Sequence, residues 1–170
     1  MTGKKEMINN NWQRISNVDM NCFGCGAKNH HGLKMTFETN GEKIRSIVRV
    51  PDHMRGWRNI VHGGVLSTIC DEIMAWAAIH LLKRFILTKT MTTSFLQPVT
   101  TGSRLEAFGY IKEQIDERNA VMAGEIYTEE GTLCAKSAGE FVLFTPDNFK
   151  KLNIIPEDLL DKMAGMYEMV

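Results

Sequence analysis

The chain has 170 residues, of which 44% are hydrophobic, and its 20 basic residues are balanced by 20 acidic ones. That length fits one ordinary domain with short terminal extensions and suffices for a real core. A net charge of zero excludes any global attraction to nucleic acid or to an anionic membrane, so an anionic ligand must be held by a local group of charges.

The amino-terminal stretch "MTGKKEMINNNWQRISNVD" contains no apolar run of the roughly 7 to 15 residues that a signal peptide requires, and a cytoplasmic protein is expected. In that compartment Cys22, Cys25, Cys70 and Cys134 are expected as thiols or metal ligands rather than as disulfides. Residues 1–32 read as a polar, irregular extension with at most a short helix near 10–17, ending in the loop-forming "NCFGCGAKNHHG". A domain over 33–145 follows. It opens with two strands, "LKMTFET" and "KIRSIVRV", separated by Asn40-Gly41, a strong hairpin signal.

After the Gly-containing, polar "DHMRGWRNIVHGG", the run over 63–82 predicts one long helix. Its length would span a bilayer, but Asp71, Glu72 and His80 make insertion costly, so a buried helix is expected. Four period-two segments come next: "ILTKTMTTSFLQPV", "SRLEAFGYIKEQI", "NAVMAGEIYTEE" and "TLCAKSAGEFVLFT". They predict four further strands as a meander. Residues 146–170 read as a terminal extension with a short helix beginning at Pro156. The expected class is therefore α+β, with a curved antiparallel sheet of about six strands wrapped on one central helix. Such a helix, apolar on nearly every side, needs more cover than one sheet provides, so a homodimer is expected, or a dimer of dimers.

At 100° per residue, Gly64, Ser67, Thr68, Asp71, Ala75 and Ala78 fall on one stripe of small residues that looks away from the sheet. Val65, Ile69, Ile73, Trp76 and Ile79 face the sheet, and Glu72 shares its flank with Val65, Thr68, Ile69 and Trp76. A buried carboxylate is costly unless it is neutralised, partnered or needed for chemistry. Desolvation raises its pKa, which suits a general base or nucleophile near neutral pH. The alternative is a structural acid bonded to a neighbouring chain. At the start of the helix, His62-Gly63-Gly64 offers unhindered amides at the positive end of the helix dipole, suited to polarising a carbonyl oxygen. Asp71 lies about 12 Å further along the axis at 1.5 Å per residue, too far to serve the same carbon unless an antiparallel helix of a second subunit supplies it.

The His-Gly-Gly, six-residue gap and Asp resemble the signature of the hotdog-fold thioesterases of the phenylacetic-acid-pathway and acyl-CoA thioesterase group. "CFGCGAKNHHGLKMTF", "HMRGWRNIVHGG" and "TTSFLQPVTTGSRLEAFG" extend the similarity over about residues 20–145. The resemblance implies hydrolysis of acyl-CoA thioesters with no metal and no cofactor, coenzyme A being part of the substrate. It implies Asp71 as the catalytic carboxylate, the Gly63 amide as carbonyl polariser, and Thr88 as the hydroxyl that orients water. Thr88, Thr90, Thr92 and Ser94 lie on one hydroxyl-bearing face, which serves equally as a polar outer face. Glu72 is the alternative base. His62, Gly64, Asn59 and Arg58 are candidate substrate-binding residues, with His62 shaping the turn rather than transferring protons. One departure from the family pattern is Gly56, which stands where several relatives carry Asn, the nearest asparagine being Asn59.

Cys22 and Cys25 could form half of a zinc site with His30 or His31, but a second C-x-x-C is lacking, so no metal is assigned. Arg55, Arg58, Lys83 and Arg84 are candidates for the phosphates of coenzyme A. Trp57 and Trp76 read as packing residues. A non-catalytic module that holds an acyl group or coenzyme A in the same pocket competes with the enzyme reading.

Overall fold

The computed structural model describes residues 11–169. Residues 1–10 and 170, which include much of the stretch read above for a leader, lie outside the described residues. The elements, in chain order, are β1 (Gln13–Ile15), β2 (Phe37–Thr39), β3 (Ile44–Arg49), α1 (Gly63–Leu82), β4 (Phe85–Phe95), β5 (Arg104–Gln114), β6 (Asn119–Thr128), β7 (Leu133–Phe144), α2 (Pro146–Lys150) and α3 (Glu157–Met166). The seven strands form one antiparallel sheet in the order β1-β2-β3-β5-β6-β7-β4, curled around α1, as the hotdog resemblance implies.

The helix spans the residues its apolar run predicts. His62 caps its start, with Nδ1 accepting from the Gly64 amide at 2.9 Å, and Lys83 ends it in the left-handed region at φ 55°. By length and composition α1 could cross a membrane, but here it packs against strands β3 to β7. Ile69, Cys70, Ile73, Met74, Ala77 and Ala78 are fully buried along it.

Three sequence expectations are corrected. The sheet has seven strands rather than about six, because 13–15, read as part of a possible helix, is a strand. Ile15 pairs with Phe37 and turns its side chain into the core, and local propensity yields to that burial. The four strands after the helix are not one meander. β5, β6 and β7 are consecutive neighbours, but β4 pairs with β7. Residues 96–103 then carry the chain back to β5, held against the segment before α1 by the Val61 amide donating to the Val99 carbonyl at 2.8 Å. Period-two alternation reveals which face a side chain takes, not which strand lies beside it. Finally, α2 was not expected. It is capped by Thr145, whose side chain accepts from the Asn148 amide.

The helix backbone comes up close against the sheet at Gly109 of β5. A Cβ there would overlap the carbonyl of Ile73, which is backbone and cannot swing aside. Gly109→Ala is expected to destabilise the fold by about 2–3 kcal/mol, since the helix must lift off the sheet to admit one methyl. Denaturant unfolding measures this, and a loss below about 0.5 kcal/mol would show that the helix backbone is not pressed on the sheet there.

Candidate active site

The two acids of α1 sit one residue apart and therefore about 100° apart around the axis. They meet different surroundings. Asp71 is half-buried and faces the edge strand β4, where Thr88 Oγ1 donates to Asp71 Oδ1 at 2.9 Å. The sequence reading had Asp71 looking away from the sheet. It lies instead against the sheet's last strand, because the crossover of β4 to the β7 edge carries that strand along this side of the helix.

Local irregularity in β4 makes the Thr88 contact possible. The pairing of β4 with β7 slips between Thr88 and Thr90, leaving Lys89 bulged. A bulge reverses the alternation of faces beyond it. Thr88 consequently points to the helix, while past the bulge Met91 packs on the core and Thr93 reaches Ser137 at 2.7 Å. Thr92 and Ser94 fall on the outer face beside Tyr110, Lys112 and Lys136. The single hydroxyl face over 88–94 expected from alternation is thus divided, and of its four hydroxyls Thr88 is the one bonded to Asp71.

Glu72 faces the 20–35 loop. Cys22 Sγ donates to Glu72 Oε1 at 3.2 Å, and Gly24 lies so close that a Cβ there would overlap the Glu72 side chain. Glu72 Oε2 is buried with no hydrogen-bond partner. Burial, with Cys22 beside it, pushes the Glu72 carboxyl up to about 8. Hydrogen bonding from Cys25 lowers the Cys22 thiol, and the same contact together with burial raises Cys25. The carboxylate desolvated in the way the sequence reading anticipated is Glu72, on the flank away from Thr88.

At the start of α1 the two glycines differ. The Gly64 amide is occupied by His62, whereas the Gly63 N–H has no acceptor among the described residues. The Phe95 ring lies over Gly63, 3.4 Å from where a Cβ would stand, and a recess of about 240 Å³ opens beside it between Ile60, Val61, Leu66, Phe95, Leu96 and Val99. The sequence reading missed Phe95 and Leu66 here, because the face taken by Phe95 depends on the bulge six residues earlier.

Trp57, Arg58 and Asn59 form the exposed tip of a tight turn closed by the Gly56 amide on the Ile60 carbonyl at 2.8 Å. Trp57 is 87% exposed, so it is not the packing residue its composition suggested. Arg55, Arg58 and Asn59 line a shallow opening at this tip, near the Gly63 end of the helix. Lys83 and Arg84 sit at the opposite end, about 30 Å away along a 20-residue helix, so the four cations do not form one group. Trp76 is buried, stacked on Phe37 at 4.6 Å and edge-on to Tyr167 at 5.5 Å.

Residues 58–135, from the exposed turn into β7, match the family model described as Thioesterase superfamily, 4HBT. An uncharacterized protein of Schizosaccharomyces pombe is 29% identical over 92 residues, covering 51% of this chain and 52% of its own, so the match spans about half the length of that relative. Among solved structures, a thioesterase superfamily protein superposes with a TM-score of 0.65 at 24% identity over 72% of this chain and 60% of its own. The PaaI protein from the phenylacetic acid degradation operon of E. coli gives 0.59 at 21% identity, covering 66% and 80% of the two chains. A hypothetical thioesterase of Streptococcus pneumoniae, solved with coenzyme A, gives 0.57 at 22% identity, covering 60% and 81%. At these identities the likeness to solved structures is one of fold, the hotdog fold, and the family model is similar to residues 58–135, a little under half of the chain.

Proposed function

We propose that this chain hydrolyses acyl-CoA thioesters as a homodimer, with each reaction centre built from Asp71 of one subunit and the Gly63 amide of the other. The observation that carries this reading is the Asp71–Thr88 pair, a carboxylate held at one oxygen by a hydroxyl at 2.9 Å on the strand that ends the sheet. Supporting it, β4 runs for 11 residues with no strand on its outer side among the described residues. Leu87, Phe95 and Leu96 of this border are 41%, 54% and 43% exposed. A long unpaired edge with exposed apolar side chains at its ends recruits another chain. Antiparallel pairing of β4 with its copy about a two-fold axis would lay the two α1 helices side by side in opposite directions, bringing one helix start towards the other's middle. The coenzyme A bound to the S. pneumoniae protein supports the substrate class.

In this reading the thioester carbonyl oxygen lies against the Gly63 N–H, and the acyl group enters the recess lined by Leu66 and Phe95. The phosphates of coenzyme A meet Arg55 and Arg58. Asp71 Oδ2, free of Thr88, takes a proton from water, and the resulting hydroxide attacks the carbonyl carbon. The Gly63 amide and the helix dipole stabilise the oxyanion. Collapse breaks the carbon–sulfur bond, releasing the carboxylic acid and the thiolate of coenzyme A, which recovers a proton. Direct attack by Asp71, giving an anhydride that water then opens, uses the same atoms and yields the same products.

Two substitutions separate the roles. Asp71→Asn keeps the size and the Thr88 contact but removes the base, and kcat is expected to fall about 100-fold or more with coenzyme A binding retained. Gly63→Pro deletes one N–H at the first helical position, where proline is tolerated and where His62 already has the extended backbone, φ −63° and ψ 135°, that a following proline favours. It is expected to lower kcat by about 100-fold with helix content unchanged. Thiol release over acyl-CoAs from short to long, phenylacetyl-CoA included, measures both. Turnover close to wild type in Asp71→Asn removes that residue from its role. Coenzyme A binding without thiol release in the wild type makes the chain a holder of acyl-CoA rather than a hydrolase.

A further inference from the structure

The N-terminal loop and the central helix together make a constellation that hydrolysis does not use. Cys22 Sγ, Cys25 Sγ and a Glu72 carboxylate oxygen all lie within 4.8 Å of one another. The loop that brings them together is firmly organised. The Gly26 amide donates to the Cys22 carbonyl and the Lys28 amide to the Met20 carbonyl, both at 2.9 Å, while Asn17 Nδ2 donates to the Cys25 carbonyl at 3.0 Å. The Leu33 and Met35 amides bind the Phe23 and Gly24 carbonyls at 2.9 Å, closing the loop over the helix. Gly24, lacking a side chain, allows the backbone between the two cysteines to rest on Glu72.

What this arrangement lacks is positive charge. No ion pair to Glu72 exists among the described residues, its Oε2 is buried without a partner, and its neighbours are two thiols. A buried acid in such company is an electrostatic liability that a cation would relieve. The geometry points to a mononuclear metal site of the zinc class, in which Cys22, Cys25 and Glu72 are three ligands that fasten residues 20–35 to α1. Tetrahedral zinc with two sulfur ligands and one oxygen ligand calls for sulfur–sulfur separations of about 3.8 Å and sulfur–oxygen separations of about 3.5 Å. The Cys22–Glu72 separation of 3.2 Å and the 4.8 Å envelope need only small side-chain shifts to meet these values. Paired thiolates select zinc, or cobalt in its place, over magnesium and calcium. On binding, both thiol protons and any carboxyl proton are lost to solvent, the two thiolates stay as ligands, and water completes the fourth position. His30 and His31, the partners suggested by sequence, are exposed and outside the cluster. Glu72, fifty residues from Cys22, supplies the third ligand instead.

A C-x-x-C pair can also close as a disulfide. The carboxylate between the thiols favours the metal, because a disulfide would leave Glu72 as uncompensated as before. The test uses the full chain, purified without metal-affinity resin. Its zinc content is measured by mass spectrometry, and the apo protein is titrated with Zn²⁺ and with Co²⁺. About one equivalent of zinc is expected to survive gel filtration, and Co²⁺ is expected to give a thiolate-to-cobalt charge-transfer band. Cys22→Ser should abolish that band, and Glu72→Gln should weaken zinc binding about tenfold or more. Should Cys22→Ser fail to fold, the wild-type melting temperature with and without zinc decides the matter, and a rise on adding zinc is expected. Absence of stoichiometric zinc binding, a cobalt spectrum without the thiolate band, undiminished affinity in Glu72→Gln, or a melting temperature indifferent to zinc would each overturn the site. Ready oxidation to a Cys22–Cys25 disulfide with no zinc uptake would overturn it in favour of a redox pair.

Discussion

A twenty-residue helix that is apolar around its circumference cannot rest on a flat surface, since whichever side is left uncovered remains in water. The architecture follows from covering α1. Strands β3 to β7 curl over one side, with the helix backbone pressed against Gly109. The flank bearing Glu72 and Trp76 is closed by other parts of the chain, Phe37 and the 20–35 loop from the amino-terminal half and Tyr167 from the carboxyl-terminal end. Tyr167 also ties the two ends together by donating its hydroxyl to the Ser16 carbonyl at 3.1 Å. One flank stays less covered, along β4, and it carries Ser67, Thr68 and Asp71. The fold thus leaves these three polar positions at the border.

The same constraint explains why adjacent acids behave so differently. Asp71 emerges at the border, where Thr88 and solvent satisfy it. Glu72 points into the closed flank, where the available neighbours are thiols. A one-residue step on a helix therefore separates an acid that reaches the border beside a hydroxyl from one enclosed against two thiols. The two amides at the helix start divide in a similar way. His62 occupies the Gly64 N–H and thereby leaves the Gly63 N–H as the unclaimed donor at the helix start.

Much of this was legible in the sequence, for identifiable reasons. The helix limits are readable because an uninterrupted apolar run begins at a glycine pair and ends at charged residues. The long strands of the sheet's interior are readable because they bury every second side chain, as in β7, where Ala135, Ser137, Phe141 and Leu143 turn inward. The His-Gly-Gly and Asp spacing is readable because the glycine pair opens the helix and Asp71 follows on it. What escaped was non-local. The neighbours of β4 are set by how the sheet wraps the helix. The slip at Lys89 leaves no compositional mark, yet it puts both Thr88 and Phe95 on the helix side of the strand while Thr92 and Ser94 take the other. The meeting of Glu72 with Cys22 joins residues fifty positions apart, and Ile15 becomes a strand residue only because Phe37 is there to pair with it.

The central claim is that each reaction centre is shared, one subunit giving the acid and its partner the bare amide. Mixing the Asp71→Asn and Gly63→Pro proteins after reversible dissociation tests it directly, since each homodimer lacks one half of both centres. In a mixed dimer, one centre collects both substitutions and the other recovers both native groups. Thiol release is expected to rise to about one quarter of the wild-type rate in an equimolar, randomly paired mixture. Activity that stays at the level of the separate variants, in a mixture shown to contain the mixed dimer, would contradict the account.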